Sequence, residues 1–123
     1  MKSITLKGSP ISTNSCYFHF KPGVRILVAK AKALKEDYMW QAKSQWKGKP
    51  IVEDLELKIK LFFNRKGKHD WDNFHKLSMD ALTGIVWADD SQIQKATVEK
   101  FYDKENPRIE INLSTHDVDN RQQ

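Results

Sequence analysis

The stretch Leu55-Glu56-Leu57-Lys58-Ile59-Lys60-Leu61-Phe62-Phe63 alternates apolar and polar side chains more strictly than any other part of the chain. Successive strand residues point to opposite faces, so Leu55, Leu57, Ile59, Leu61 and Phe63 share one face and Glu56, Lys58 and Lys60 the other. A long strand with one buried face requires neighbouring strands and an apolar layer to cover it.

The flanking sequence supplies both. Upstream, Ile4-Thr5-Leu6 alternates as a short strand closed by Gly8-Ser9-Pro10. Tyr17 to Phe20 and Val24 to Val28 are β-prone runs around Lys21-Pro22-Gly23, a sequence suited to a type II turn, and a small hairpin is predicted there. From about Ala29 to Trp46 the period becomes helical, with Ala31, Leu34, Tyr38, Ala42 and either Gln45 or Trp46 on one side. Lys30, Lys32, Lys35, Lys43 and Lys47 read as the solvated face of that helix, and Gly48 and Pro50 as its end.

Downstream, a second helix is predicted from about Asp72 to Thr83, stopped by Gly84. Ile93 to Tyr102 reads as a strand, Asp103 to Pro107 as a turn, and Ile109, Ile111 and Leu113 as an alternating strand, so the last two strands are expected to pair as a hairpin. From Ser114 onward the sequence is polar. The prediction is one α+β domain over residues 1–113, a mixed β-sheet with two principal helices, and a polar tail over 114–123.

A length of 123 residues suits one core. Hydrophobic residues make up 39% and aromatics 11%, which argues against a disordered chain. No apolar run approaches the roughly 20 residues of a membrane-spanning helix, and a soluble, non-exported, cytoplasmic protein is expected. Cys16 is the single cysteine, so an internal disulfide is excluded and a thiolate metal site is disfavoured. The net charge of +5 and pI near 9.3 favour polyanionic partners, although charge of this size is not specific to them.

The position of the charge is more telling. The predicted central strand runs into the basic loop Asn64-Arg65-Lys66-Gly67-Lys68-His69, which delivers the chain to Asp70. On a helical wheel Asp72, Asn73, Lys76, Asp80 and Thr83 fall in one sector, opposite Trp71, Phe74, Leu77, Ser78, Ala81 and Leu82. Two neighbouring carboxylates such as Asp70 and Asp72 repel unless a cation sits between them. A hard divalent ion, using one or two carboxylates with water and phosphate, resolves the conflict and suits phosphodiester hydrolysis. An Asp-x-Asp pair at a helix start also serves simply as a cap, and Asp89-Asp90 alone reads as a solvated turn. The combination of strand end, basic loop, Asp-x-Asp, Lys76 one turn beyond Asp72 and a second acidic pair raises the hydrolytic reading above those. Lys76 is expected to stay protonated and stabilise phosphate charge, with an exposed pair to Asp72 as the bland alternative. His69 and His75 read as packing or DNA-contact residues.

Asp70-x-Asp72-Asn73-x-x-Lys76, Asp80-Ala81-Leu82-Thr83-Gly84 and Trp87-x-Asp89-Asp90-Ser91-Gln92-Ile93 together resemble the RusA family of Holliday junction resolvases. Pro10, Ser12, Asn14 and Tyr17 near the start, and Val98-x-Lys100 with Asn106 to Ile111 near the end, extend the resemblance. It implies a RusA-like fold and a Mg²⁺-dependent endodeoxyribonuclease, with Mn²⁺ as a possible substitute. The catalytic set carried over is Asp70, Asp72, Lys76 and Asp90, and the metal set Asp70, Asp72 and Asp90, for which Asp90 has to fold back onto the other two. Only the resemblance chooses Asp90 over Asp89. It also implies a homodimer that nicks two strands of a four-way junction symmetrically, in phage or bacterial recombination and repair. Arg65, Lys66, Lys68, His69 and Asn73 are the expected DNA contacts. A flap- or fork-cleaving metal nuclease and a non-catalytic branched-DNA-binding protein are the alternatives.

Overall fold

The computed structural model describes residues 2–12, 17–22, 24–67, 69 and 74–116. Its elements are β1 (Lys2–Lys7), β2 (Tyr17–Lys21), β3 (Val24–Leu27), α1 (Ala29–Gln45), β4 (Leu55–Phe63), α2 (Lys76–Leu82), a 3-10 turn (Asp90–Gln92), β5 (Ile93–Tyr102) and β6 (Arg108–Thr115). The fold is the predicted α+β arrangement, a mixed sheet with two helices.

The main sheet has the order β1-β6-β4-β5, and β2 and β3 form a separate antiparallel pair. β4 is interior, as its alternation requires. It runs antiparallel to β6, with Leu57, Ile59 and Leu61 opposite Leu113, Ile111 and Ile109, and parallel to β5. Residues opposite one another share a face, so these rows make one continuous apolar surface that Ile4 and Leu6 extend from β1. Ala31, Tyr38 and Ala42 of α1, Leu77, Ala81 and Leu82 of α2, and Val86 and Trp87 cover it.

β5 and β6 do not pair with each other as the expected hairpin, because β4 lies between them. Their apolar content explains the choice. β6 offers β4 three large aliphatic side chains on the core face, whereas β5 offers Ala96 and Val98 between polar neighbours, so β6 takes an interior position and β5 the edge. Residues 103–107 consequently cross the end of β4. The Asp103 N–H donates to the Phe63 carbonyl at 2.9 Å. Arg108 secures the crossing by donating to Asp103 (2.8 Å), the Asn106 carbonyl (2.7 Å) and Glu110 (2.7 Å) while lying over the Phe62 ring.

The two helices differ in how well their boundaries follow the sequence pattern. α1 spans nearly the predicted range. α2 starts at Lys76 and not near Asp72: Phe74 packs edge-on against Phe63 and His69, holding the chain at the end of β4 until it turns helical after His75. Gly84, at φ +93, ends it in the left-handed conformation glycine tolerates best. β6 continues to Thr115, so Ser114 and Thr115 belong to the sheet and not to the expected tail.

The outer edge of β1 is closed by side chains. Gln45 accepts from the Thr5 N–H (2.9 Å) and donates to the Thr5 carbonyl (2.7 Å). Gln41, one turn earlier on α1, does the same for Lys7, at 2.7 and 3.3 Å. The two amides imitate a neighbouring strand and satisfy backbone groups that an edge otherwise leaves open.

Candidate active site

Asp70, Asp72, Asn73 and Lys68 lie outside the described residues, and the other predicted site residues can be placed. Arg65 and Lys66 are exposed in the loop after β4, with the Lys66 ammonium 5.4 Å from the Tyr102 ring. His69 is half-buried and stacks on Phe63 with ring centroids 3.9 Å apart and planes 3° from parallel. The Lys100 ammonium donates to its carbonyl. This bond ties β5 to the residue that precedes the acidic motif in the sequence.

Lys76 opens α2 and stands 3.4 Å from both Asp80 carboxylate oxygens, an exposed pair one turn apart. Such a pair stabilises the fold by well under about 1 kcal/mol, which leaves the ammonium free to exchange partners. His75, at the N-cap of α2, accepts at its carbonyl from Met79 N–H and Ser78 Oγ.

Asp89 and Asp90 are separated by their hydrogen bonds. Asp89 forms a reciprocal capping box with Gln92, and its carboxylate also accepts from Ser91 Oγ. Asp90 is exposed on the next position, and its carboxylate has no partner among the described residues. The neighbouring acids are therefore unequal: Asp89 serves its own turn, and Asp90 has oxygens to offer.

Gln92, quoted in the sequence only as part of a motif, holds that turn in place. It is 8% exposed and uses every polar atom of its amide. Its oxygen accepts from Asp89 N–H at 2.7 Å, and its nitrogen donates to the Ile51 and Glu53 carbonyls at 2.8 and 2.9 Å. The spacing Asp89-x-x-Gln92 is the capping-box signature through which the sequence signalled it. Lys100 left no comparable local signal, since its partner lies 31 residues away.

The turn bearing Asp90 and the segment leading into Asp70 occupy different ends of the sheet. Gln92 ties the first to residues 51–53, just before β4, and His69 stacks on Phe63, the last residue of β4. Nine residues of strand span about 26 Å between Leu55 and Phe63. Among the described residues no group of three or more His, Cys, Asp or Glu side chains is assembled to hold a metal ion. The donors available at Asp90 and in the Asp70/Asp72 motif are carboxylate oxygens, the type a hard divalent cation takes.

The sequence from residue 7 to 114 matches the profile of the family described as Endodeoxyribonuclease RusA, and the chain belongs to that family. It is thus a member of a family of DNA endonucleases. It is also 46% identical over 44 residues to the uncharacterized protein YqaN of Bacillus subtilis (strain 168), a segment covering 36% of this chain and 30% of that relative. No helix among the described residues is long and apolar enough to cross a membrane.

Proposed function

We propose that this protein is a Mg²⁺-dependent, structure-specific endodeoxyribonuclease that resolves four-way junctions by paired symmetric nicks, acting as a homodimer in the bacterial cytoplasm and encoded by a bacterium or a phage. The observation that carries the reading is the inequality at the second acidic pair: Asp89 is engaged in its own turn, and Asp90 presents a carboxylate with no partner among the described residues. Because the Asp90 turn and His69 lie at opposite ends of β4, Asp70 and Asp72 of one copy and Asp90 of the other copy in the homodimer would hold the cation, with Mn²⁺ able to replace Mg²⁺. The ion, when bound, supplies charge neutralisation and a more acidic water for attack on phosphorus.

The chain's own groups do the rest. Arg65, Lys66 and Lys68 attract the phosphate backbone, with His69 and Asn73 beside them, and such contacts position DNA without reading its sequence. Lys76 exchanges Asp80 for a phosphate oxygen and stabilises charge that develops there. Asp80 retains the lysine between encounters. Gln92 orients the turn that carries Asp90.

The test is Mg²⁺-dependent cleavage of a synthetic four-way junction beside fork, flap and linear duplex substrates. Wild type should nick the junction at two symmetric positions, and Asp72→Asn and Asp90→Asn should lower the rate at least about a hundredfold. Undiminished cutting by either variant would refute its assignment, and preference for forks or flaps would replace the junction reading. Binding without cutting at any Mg²⁺ or Mn²⁺ concentration would indicate a non-catalytic protein.

A further inference from the structure

The core and both helices lie on one face of the main sheet. The opposite face is polar along most of its length, as at Lys58, Lys60, Thr97 and Asn112, and turns aromatic only at the end where β4 runs into the basic loop. There the register sets Arg108, Phe62 and Phe101 side by side on β6, β4 and β5. Side chains opposite one another share a face, so the three form one row across the strands.

The row is a stack with one closed end and one open end. The Arg108 guanidinium lies 3.8 Å from the centroid of the Phe62 ring, and the Phe62 and Phe101 rings stack with centroids 4.9 Å apart and planes 17° from parallel. Asp103 and Glu110 fix the guanidinium, which makes the inner end rigid. Phe62 therefore has both ring faces covered. Phe101 has one: among the described residues Phe62 is the only ring stacked on it, and Phe101 stays 39% exposed. Aromatic pairs commonly form to hide each other from water, which accounts for Phe62 but not for an outer ring left open.

The neighbours of Phe101 in sequence reach toward the nuclease motifs. Lys100 donates to the His69 carbonyl, and the Lys66 ammonium lies 5.4 Å from the Tyr102 ring. A flat group on Phe101 thus has a cation nearby for an attached phosphate. Glu99, the acid next to Phe101 on this face, has Lys60 opposite it across the strands. We propose that the open ring face of Phe101 is a stacking site for one unpaired nucleobase of the DNA, taken as a further layer on the Arg108, Phe62 and Phe101 stack with its phosphate toward Lys66. This rests on the DNA-cleavage reading above and deepens it by naming a group that selects branched substrate. In a matched duplex the neighbours of a base cover both its faces, so it reaches Phe101 only by leaving the helix, whereas an unpaired base at a branch breaks no pair to do so. Every base has a π-face, so the site selects structure and not sequence.

Binding in EDTA tests the site without cleavage. Phe101→Ala and Phe101→Leu should each weaken binding of a single-stranded thymidine oligonucleotide of about eight residues at least about tenfold by fluorescence anisotropy, and binding of a matched duplex less than about threefold. Phe101→Trp should bind the single strand at least as tightly as wild type, because it restores a ring. Leucine keeps the apolar bulk without the π-face, so the three variants separate stacking from packing. In wild type, 5-iododeoxyuridine at an unpaired position beside the branch point of a junction should photocrosslink to Phe101, as mapped by peptide mass spectrometry. Full affinity in Phe101→Leu, equal losses on single strand and duplex, or crosslinks that avoid residue 101 would each overturn the stacking site. So would a Phe101→Ala protein that sediments differently yet binds the single strand as wild type does, which would assign the ring to a protein contact. Since no measurement needs the metal, a protein that passes them and never cuts a junction keeps this site and loses the cleavage reading.

Discussion

Replacing Gln92 by Leu removes three hydrogen bonds while nearly keeping the side-chain volume. The lost bonds run to Asp89 N–H (2.7 Å), Ile51 O (2.8 Å) and Glu53 O (2.9 Å). Ile51 O keeps its second donor, the Ala88 N–H at 3.0 Å, so two backbone groups and not three lose these partners outright. A buried polar group left unpaired costs about 1–3 kcal/mol, and water reaching this 8%-exposed site reduces that toward the lower end, giving about 2–4 kcal/mol in total. With an unfolding entropy of about 2.1 cal/mol/K per residue, roughly 0.26 kcal/mol/K for this length, Tm should fall by about 8–15 °C. Differential scanning calorimetry measures the shift. Gln92→Glu keeps the acceptor for Asp89 N–H but turns a carboxylate oxygen toward two carbonyls, so it should be at least as destabilising at neutral pH and should recover partly in acid, where a protonated carboxyl donates once. A Gln92→Leu protein melting within about 2 °C of wild type would refute the argument that this amide holds the Asp90 turn.

Two further outcomes follow from the same kind of accounting. Gln45→Ala opens the Thr5 backbone pair at the β1 edge and should lower stability by about 1–2 kcal/mol in urea titration and promote association at high protein concentration, with Gln41→Ala milder because one of its bonds is 3.3 Å long. Asp103 is held below its ordinary value of 3.8, chiefly by the Arg108 hydrogen bond and then by the Asn106 N–H. A carboxyl depressed in the folded state stabilises the protein above its unfolded value, and this is lost as pH falls through the folded value. Stability should therefore drop below about pH 4, and Asp103→Asn should flatten that acid limb in pH-dependent denaturation.

The sheet and α1 were legible because their signals are local and periodic. β4 could be read from its alternation alone, since one buried face forces a period of two, and the buried positions Ala31, Tyr38 and Ala42 follow the helical period within a residue of the expected ends. The pattern left position 45 or 46 as the last facing residue, and the role of Gln45 as a substitute strand for Thr5 required knowing that α1 lies along β1. The start of α2 was placed too early because the wheel pattern extends through Phe74, and an aromatic contact with Phe63 and His69 outweighs it.

Residue types, spacing and charge determined by themselves that the chain forms one α+β domain with an acidic motif behind a basic loop, because those properties act over a few residues. Tertiary structure decided the order of the strands, since β4 enters between β5 and β6 only by comparing apolar faces far apart in sequence. It also decided the difference between Asp89 and Asp90. Adjacent and chemically identical, they diverge because Gln92, anchored to carbonyls some forty residues earlier, draws one into a capping turn and leaves the other facing solvent.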